Sequence, residues 1–324
     1  MEKETTAAQT ASTTAGTSQE ATPQKKSGFA TIIGRPNVGK STLMNRMIGQ
    51  KIAITSYKPQ TTRGKIRTIY TDDQGQIVFL DTPGIHKSNN RLGTYMLKAS
   101  SSTLKEVDVI LYLIEPRQKR DEEEMEILEQ LRTVKRPKIL VINKIDKTPK
   151  EKLLPLMAAY ANDGIFSEIL PVSARTGEGV DELMKTLFDK LPYGEPFYDE
   201  DMVTTETERD IAAEIIREKT LRLLQEEVPH GIAVTIERMK ERTTKAGEPI
   251  CDIDASIICE KNSHKGIVIG KKGAMLQKIG TAARIDIENM LQCKANLKLF
   301  VKVREGWKDD DNQLRLYGYD VRKI

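Results

Sequence analysis

Between Phe29 and Ile48 the chain passes from a short apolar run, Phe29-Ala-Thr-Ile-Ile33, through Gly34-Arg-Pro-Asn-Val-Gly39-Lys40-Ser41 into the periodic stretch Ser41-Thr-Leu-Met-Asn-Arg-Met-Ile48. Strand, glycine-bearing loop and helix in that order satisfy the G-x-x-x-x-G-K-[ST] pattern in the context that gives it meaning. Glycines let the backbone fold closely around phosphates, while successive N–H groups and a helix N-terminus face the anion. Gly34, Asn37, Val38, Gly39, Lys40, Ser41 and Thr42 are therefore candidate nucleotide ligands. Lys40 is placed to reach the β and γ phosphates, and Ser41 to offer its hydroxyl to Mg²⁺.

Further apolar runs follow at Ile77–Leu80, Val109–Ile114, Ile139–Ile142 and Ile169–Val172, with helical segments such as Glu122–Arg132 and Val180–Leu191 between most of them. Strands alternating with helices predict a doubly wound, mostly parallel α/β sheet. Its ligand loops should gather at the carboxyl edge of the strands. Two motifs fall there. Asp81-Thr-Pro-Gly84 follows the run ending at Leu80, where a Mg²⁺-linked carboxylate and a γ-phosphate-sensing amide, that of Gly84, are needed. Asn143-Lys144-Ile-Asp146 follows the run ending at Ile142, and the Asp146 carboxylate can accept from both N1–H and the 2-amino group of guanine. Adenine lacks that amino group and would strand the carboxylate, so the base preferred is guanine. Ser173-Ala174-Arg175, after the next run, can place a backbone amide near the guanine carbonyl.

At 324 residues the chain is long enough for two domains, and the regular alternation stops at Leu191-Pro-Tyr-Gly-Glu-Pro-Phe-Tyr-Asp199. The expected division is a disordered tail over 1–27, a nucleotide-binding domain over 28–192, a linker over 193–204 and a second domain over 205–324. The tail is rich in Thr, Ala, Ser and Gln and has no apolar centre, so it resembles neither a signal peptide nor a packed segment. Three cysteines, Cys251, Cys259 and Cys293, fall in no metal-ligand or disulfide spacing and read as reduced packing thiols. His86, His230 and His264 are scattered and suggest no catalytic cluster.

Beyond the linker the order reads α-β-β-α-α-β: a helical repeat over Glu206–Leu224, strands at Val234–Met239 and Ile253–Ile258, two helices around Gly270–Gly273, and an alternating strand at Ala295–Val303. The net charge of +4, from 51 basic and 47 acidic residues, makes no global polyelectrolyte. Lys261, Lys265, Lys271, Lys272, Lys278 and Arg284, with no acidic residue before Asp286, make a local basic footprint instead. Gly270-Lys271-Lys272-Gly273 inside it resembles the GXXG loop of KH domains, which clamps single-stranded RNA. With the order of elements, this predicts an α+β type II KH domain. The RNA-binding candidates are Lys265, Gly270, Lys271, Lys272 and Gly273. Ile267, Ile269 and Ile279 could line a base groove, although a core position is the favoured role for each individually. Trp307 and Asp309–Asp311, after the last strand, read as contacts to RNA or to the other domain, or as a solvated turn.

With these motifs in place the chain resembles the P-loop GTPases, and more narrowly the Era family of bacterial ribosome-assembly GTPases, over about residues 28–324. Gly34–Ser41, Gln60-Thr-Thr-Arg63, Asp81–Gly84, Asn143–Asp146 and Ser173–Arg175 match its five nucleotide motifs. The resemblance implies GTP and GDP as ligands, with Mg²⁺ held by Ser41, Thr62 and Asp81, Thr61 being the alternative to Thr62. It implies catalytic roles for Lys40, Thr62, Gly84 and Asn37. It further implies binding to small-subunit ribosomal RNA near its 3′ end, a GTP-switched role in small-subunit assembly, a monomer, and a cytoplasmic location. Peripheral contact with the inner face of the cell membrane is reported for the family, yet no amphipathic anchor is legible in the sequence. The family's fifth motif commonly ends in lysine where this chain has Arg175. Ile85 stands where Ras-type enzymes carry the water-orienting glutamine, so slow intrinsic turnover is expected, and Asn37 matches an asparagine that related GTPases use with K⁺. A signalling or membrane-associated GTPase whose C-terminal domain contacts protein is the alternative; RNA binding separates the two. A metabolic ATPase or kinase is opposed by Asn143–Asp146.

Overall fold

The computed structural model describes residues 25–50, 66–81, 91–92, 103–104, 106–117, 120–224 and 231–319. In the N-terminal unit the strands are β1 (Lys26–Ile33), β2 (Ile66–Asp72), β3 (Gly75–Asp81), β4 (Val109–Ile114), β5 (Lys138–Ile142) and β6 (Glu168–Pro171). They form one sheet in the order β2-β3-β1-β4-β5-β6, parallel throughout except for the β2–β3 hairpin. Every residue of β4 and β5 is buried, which is why, Lys138 apart, their sequences are continuous apolar runs and not alternating ones.

Helices α1 (Lys40–Ile48) and α4 (Val180–Lys190) cover one face, packing Leu43, Met44, Leu183 and Leu187 on Ile32, Phe79 and Leu111. Helices α2 (Glu122–Thr133) and α3 (Lys150–Ala161) cover the other, packing Ile127, Leu131, Leu153 and Tyr160 on Ile110, Tyr112 and Leu140. Asp121 caps α2 by accepting from the Glu124 amide at 3.1 Å, and three glutamates in the first turn suit the positive end of the helix dipole.

β1 begins at Lys26, two residues inside the expected tail, because Lys26 N–H donates to the Gln74 carbonyl and Ser27 N–H to that of Pro192. The stretch expected to be a linker, 193–204, lies along the N-terminal sheet. Tyr193 bridges to Lys26 and Thr204 to Thr68. Between these, the fully buried Gln76 side chain accepts from the Phe197 and Tyr198 amides at 2.8 and 3.0 Å and donates to the Tyr198 carbonyl at 2.8 Å. The helix ends at Lys190, just before Pro192, but the segment that follows is pinned by hydrogen bonds.

The second unit starts with α5 (Glu208–Leu223), opened by a reciprocal capping box between Thr207 and Asp210. β7 (Ala233–Thr243) and β8 (Pro249–Cys259) form an antiparallel hairpin, α6 (Asn262–Ile269) and α7 (Ala274–Leu291) follow, and β9 (Lys294–Val303) pairs parallel to β8 at the sheet's edge. The order is α-β-β-α-α-β, as a type II KH domain requires. The core between helices and sheet holds Ile215, Ile216, Ile253, Ile257, Val268, Ile279 and Ile287. A short helix α8 (Asp311–Leu316) follows. Trp307 is fully buried, donates from Nε1 to the Gly231 carbonyl at 3.1 Å, and packs with Leu314, Tyr319, Ala233, Ile258 and Leu92. Arg91 donates from its backbone N–H to Asp309 and from Nη1 to Asp311 at 2.6 Å. Of the roles considered for this stretch, contact with residues of the N-terminal half is the one the structure displays. Among the described residues no helix is long and apolar enough to cross a membrane.

Candidate functional site

The carboxyl ends of β1, β3, β5 and β6 converge on one edge of the N-terminal sheet. Gly34 closes β1 with φ 153°, and a Cβ there would sit 2.3 Å from the Leu113 carbonyl oxygen, so only glycine lets the loop leave between β1 and β4. Asn37 and Gly39 take positive φ, 65° and 104°, and turn the chain into α1. No side chain caps α1, so no side-chain oxygen competes with an external anion for the helix N-terminus. This is the anion cradle that a phosphate needs. The Lys40 ammonium donates to the Gly34 and Arg35 carbonyls, both at 2.9 Å, so it lies across the loop. Asp81 ends β3 in register with Ile32 of β1, two residues before Gly34, and so shares the edge with the loop. Thr62, its alternative Thr61, Gly84 and Ile85 lie outside the described residues, as does the rest of the second motif.

Asn143 is the joint of the site. Its side chain, 2% exposed, donates from Nδ2 to the Val38 carbonyl at 2.8 Å and accepts at Oδ1 from the Ala174 amide at 2.9 Å. One residue thereby ties the phosphate loop to both base-side motifs. The same contact fixes Gly39, where a Cβ would meet Asn143 Nδ2 at 2.3 Å. Lys144, at φ 64°, donates to the Asn37 carbonyl at 2.7 Å and pairs with Glu115. Asp146 accepts the Ser173 hydroxyl at 2.8 Å, and its other oxygen pairs with Arg175 at 2.7 Å. The Ser173 hydrogen bond, with the Arg175 charge assisting, holds the Asp146 carboxyl below its ordinary range despite partial burial. A carboxylate that stays ionised and aligned is what a base with two adjacent donors needs. Arg175 thus does more than its backbone predicts.

Three further residues belong to this site and were missed in the sequence. Arg35 pairs with Asp121 and with Glu123 at 2.9 Å, drawing the first turn of the loop onto α2. Glu115 holds Lys144. Arg46 of α1 donates to the Ala174 carbonyl at 3.3 Å and also to that of Arg175. Arg35 and Arg46 meet partners 86 and 128 residues away, and no local pattern signals such pairs.

In the second unit Gly270 and Gly273 take φ 71° and 81°, and Lys272 between them takes 52°, so the loop between α6 and α7 is a tight left-handed turn. A Cβ on Gly270 would approach Met275 Cβ to 2.7 Å, whereas one on Gly273 would meet open space. Gly270 thus serves close packing onto α7, and Gly273 leaves room above the loop. Lys271 and Lys272 are exposed and Lys265 half-exposed. Among the groove candidates Ile267 is 48% exposed and Ile269 partly so, but Ile279 is fully buried in the core and is withdrawn as a base contact. Cys251 and Cys259 are buried thiols, and no His/Cys/Asp/Glu metal cluster occurs among the described residues.

Residues 29–144 match the family described as 50S ribosome-binding GTPase, and residues 227–308 match the KH domain family. The GTPase Era of Alkaliphilus metalliredigens is 51% identical over 91% of this chain and 99% of its own length. That of Clostridioides difficile is 50% identical over 91% and 99%. The fold superposes with a TM-score of 0.86 on a single-residue variant of Aquifex aeolicus Era bound to GDP·AlF4⁻, 40% identical, covering 91% of this chain and 99% of that one. It superposes with a TM-score of 0.87, at the same identity and coverage, on an Era complex with MgGDPNP and nucleotides 1506–1542 of 16S ribosomal RNA.

Proposed function

Because this chain belongs to the Era family of GTPases, we propose that it hydrolyses GTP to GDP and phosphate and acts in assembly of the small ribosomal subunit, whose RNA it binds near the 3′ end. The observation that carries the nucleotide half is the Asp146 carboxylate, kept ionised by Ser173 and Arg175 beside a phosphate cradle locked to it through Asn143. The uncapped start of α1 and the glycine-only bend at Gly34 fit a triphosphate, and Ser41 and Asp81 stand at the same edge. Ser41, Asp81 and Thr62 would hold Mg²⁺, which neutralises phosphate charge when bound. Lys40 would supply a cation to the β and γ oxygens, and the Gly84 amide would report the γ-phosphate. Ile85 cannot hydrogen-bond water, so a slow intrinsic rate follows, and Asn37 would help seat K⁺.

In the second unit the Gly270–Gly273 loop would clamp the RNA backbone, with Lys265, Lys271 and Lys272 offering charge to its phosphates. The nucleotide state would then set how tightly RNA is held. Site of action is the cytoplasm; peripheral contact at the inner face of the membrane would add to that role, and co-flotation with vesicles tests it.

The base reading is tested by Asp146→Asn, which replaces an acceptor pair with one acceptor and one donor. Xanthosine triphosphate, with a 2-oxo group, should displace GTP as the preferred ligand. The RNA reading is tested by titrating a 16S 3′-end oligonucleotide with GDP and with a non-hydrolysable GTP analogue. Tighter binding in the analogue state, lost in Lys271→Glu/Lys272→Glu, supports it. Absence of RNA binding in both states would favour a signalling or membrane-associated GTPase with a protein-binding second unit.

A further inference from the structure

The three-stranded sheet of the second unit has one face covered by α5, α6 and α7 and another that, among the described residues, is covered only at one end. There, Ala233 and Ile258 lie beneath Trp307, Leu314 and Tyr319. Away from this cap the register places Ser256 beside Phe300, and Asp254 between Arg238 and Lys298. Asp252 lies next in line, between Lys240 and Asn296.

Two features of this open face stand out. Phe300 is 48% exposed on an edge strand, with Lys298 and Lys302 two residues away on the same side, and it stacks on no other aromatic among the described residues. The cations also outnumber their partners. Lys302 pairs with Glu237, and Arg242 with Asp252 at 2.6 Å, while Arg238, Lys240 and Lys298 have no ion pair among the described residues. An unstacked ring beside Lys298, on a sheet face that carries three cations with no ion pair among the described residues, offers a base its π-face and a backbone its counter-charge.

β9 also connects this face to the GXXG side. Its Leu297, Leu299 and Val301 pack toward the helices that carry Gly270–Gly273, and its Lys298, Phe300 and Lys302 point to the opposite face. We propose that a single RNA strand leaving the GXXG loop crosses the β9 edge and lays a base on Phe300, with Lys298, Lys240 and Arg238 neutralising its phosphates. This rests on the reading of the second unit as RNA-binding. A GXXG loop clamps about four nucleotides, and the relative's complex holds a fragment spanning 1506–1542, longer than that loop can clamp.

The test uses the full chain and two RNAs, a short 3′-end oligonucleotide of about four nucleotides, matched to the GXXG loop, and the 1506–1542 segment. Wild type is compared with Phe300→Ala, with Lys240→Glu/Lys298→Glu, and with Lys272→Glu. The short RNA should bind wild type and both sheet-face variants alike, which also shows that they are folded, and should bind Lys272→Glu poorly. For the long RNA, Phe300→Ala should lose about tenfold in affinity, the effect of one base stack, and the double variant should show a shallower salt dependence. Unchanged long-RNA binding in both sheet-face variants overturns the proposal, even where they lose association with small subunits, since the face would then belong to a protein. Failure of wild type to bind either RNA overturns instead the reading on which the proposal rests.

Discussion

Replacing Asn143 tests whether the two halves of the nucleotide site are one unit. Its amide makes two buried hydrogen bonds, to the Val38 carbonyl and from the Ala174 amide. Asn143→Ala strands both groups, at about 1–3 kcal/mol for each buried group left unpaired, so about 2–6 kcal/mol for the pair. For a unit of this size each kcal/mol lowers the melting temperature by about 2–4 °C. The nucleotide-free N-terminal unit should therefore melt roughly 4–24 °C lower. Asn143→Asp is the sharper variant, because it still accepts from Ala174 but turns a carboxylate oxygen toward the Val38 carbonyl. Burial and that repulsion raise its folded pKa above the unfolded value near 3.9. The stabilising, protonated form is then complete below that value and is lost as pH rises through the folded pKa. Relative to wild type, Asn143→Asp should be most destabilised at neutral pH and recover on acidification. Scanning calorimetry between pH 4 and 8 reads this directly. A variant that melts like wild type at pH 7, or whose deficit grows as pH falls, would refute the joint role of Asn143.

Asp146 has a folded pKa below its ordinary 3.8, so its contribution is complete above 3.8 and is lost only as pH falls through the depressed value. Ser173→Ala should move that loss upward in pH more than Arg175→Ala does, read as GDP affinity against pH. Turnover of GTP should be faster in K⁺ than in Na⁺ and lose that preference in Asn37→Ala; equal rates in the two ions would end the idea. Gly270→Ala should destabilise the second unit, because its Cβ meets Met275 at 2.7 Å, while Gly273→Ala, facing open space, should cost less. Thermal melts of the two variants compare them, and equal losses would mean that packing at Gly270 is not what selects glycine.

The elements that were legible in the sequence are those whose own residues decide them. β4 and, after Lys138, β5 are apolar because both faces are covered, and the strand–loop–helix at Gly34–Ser41 carries its geometry in its glycines. β2 was not legible: Ile66-Arg-Thr-Ile-Tyr-Thr-Asp72 mixes polar and apolar residues, and it is a strand because a tight turn folds it onto β3. Helix α3 was missed as well, since Pro155 interrupts its pattern and no side chain caps its start. At the site, residue types gave the candidate ligands, but the ties among Asn143, Val38 and Ala174, or between Arg35 and Asp121, arise from the closure of the sheet. Ile279 shows the converse, because apolar spacing on a helix cannot say whether a residue faces a groove or a core.

Gln76 sets where an autonomous N-terminal fragment can end. A cut after Pro192 would follow the sequence's own break, yet it would remove the Phe197 and Tyr198 backbone groups that saturate a fully buried amide. It would also strip the Val203 carbonyl from the Ile69 amide on β2. The shortest fragment that keeps these partners runs to about Thr205, whose amide donates to the Arg67 carbonyl. Residues 193–204 therefore belong, in folding terms, to the unit they leave and not to the one they lead to.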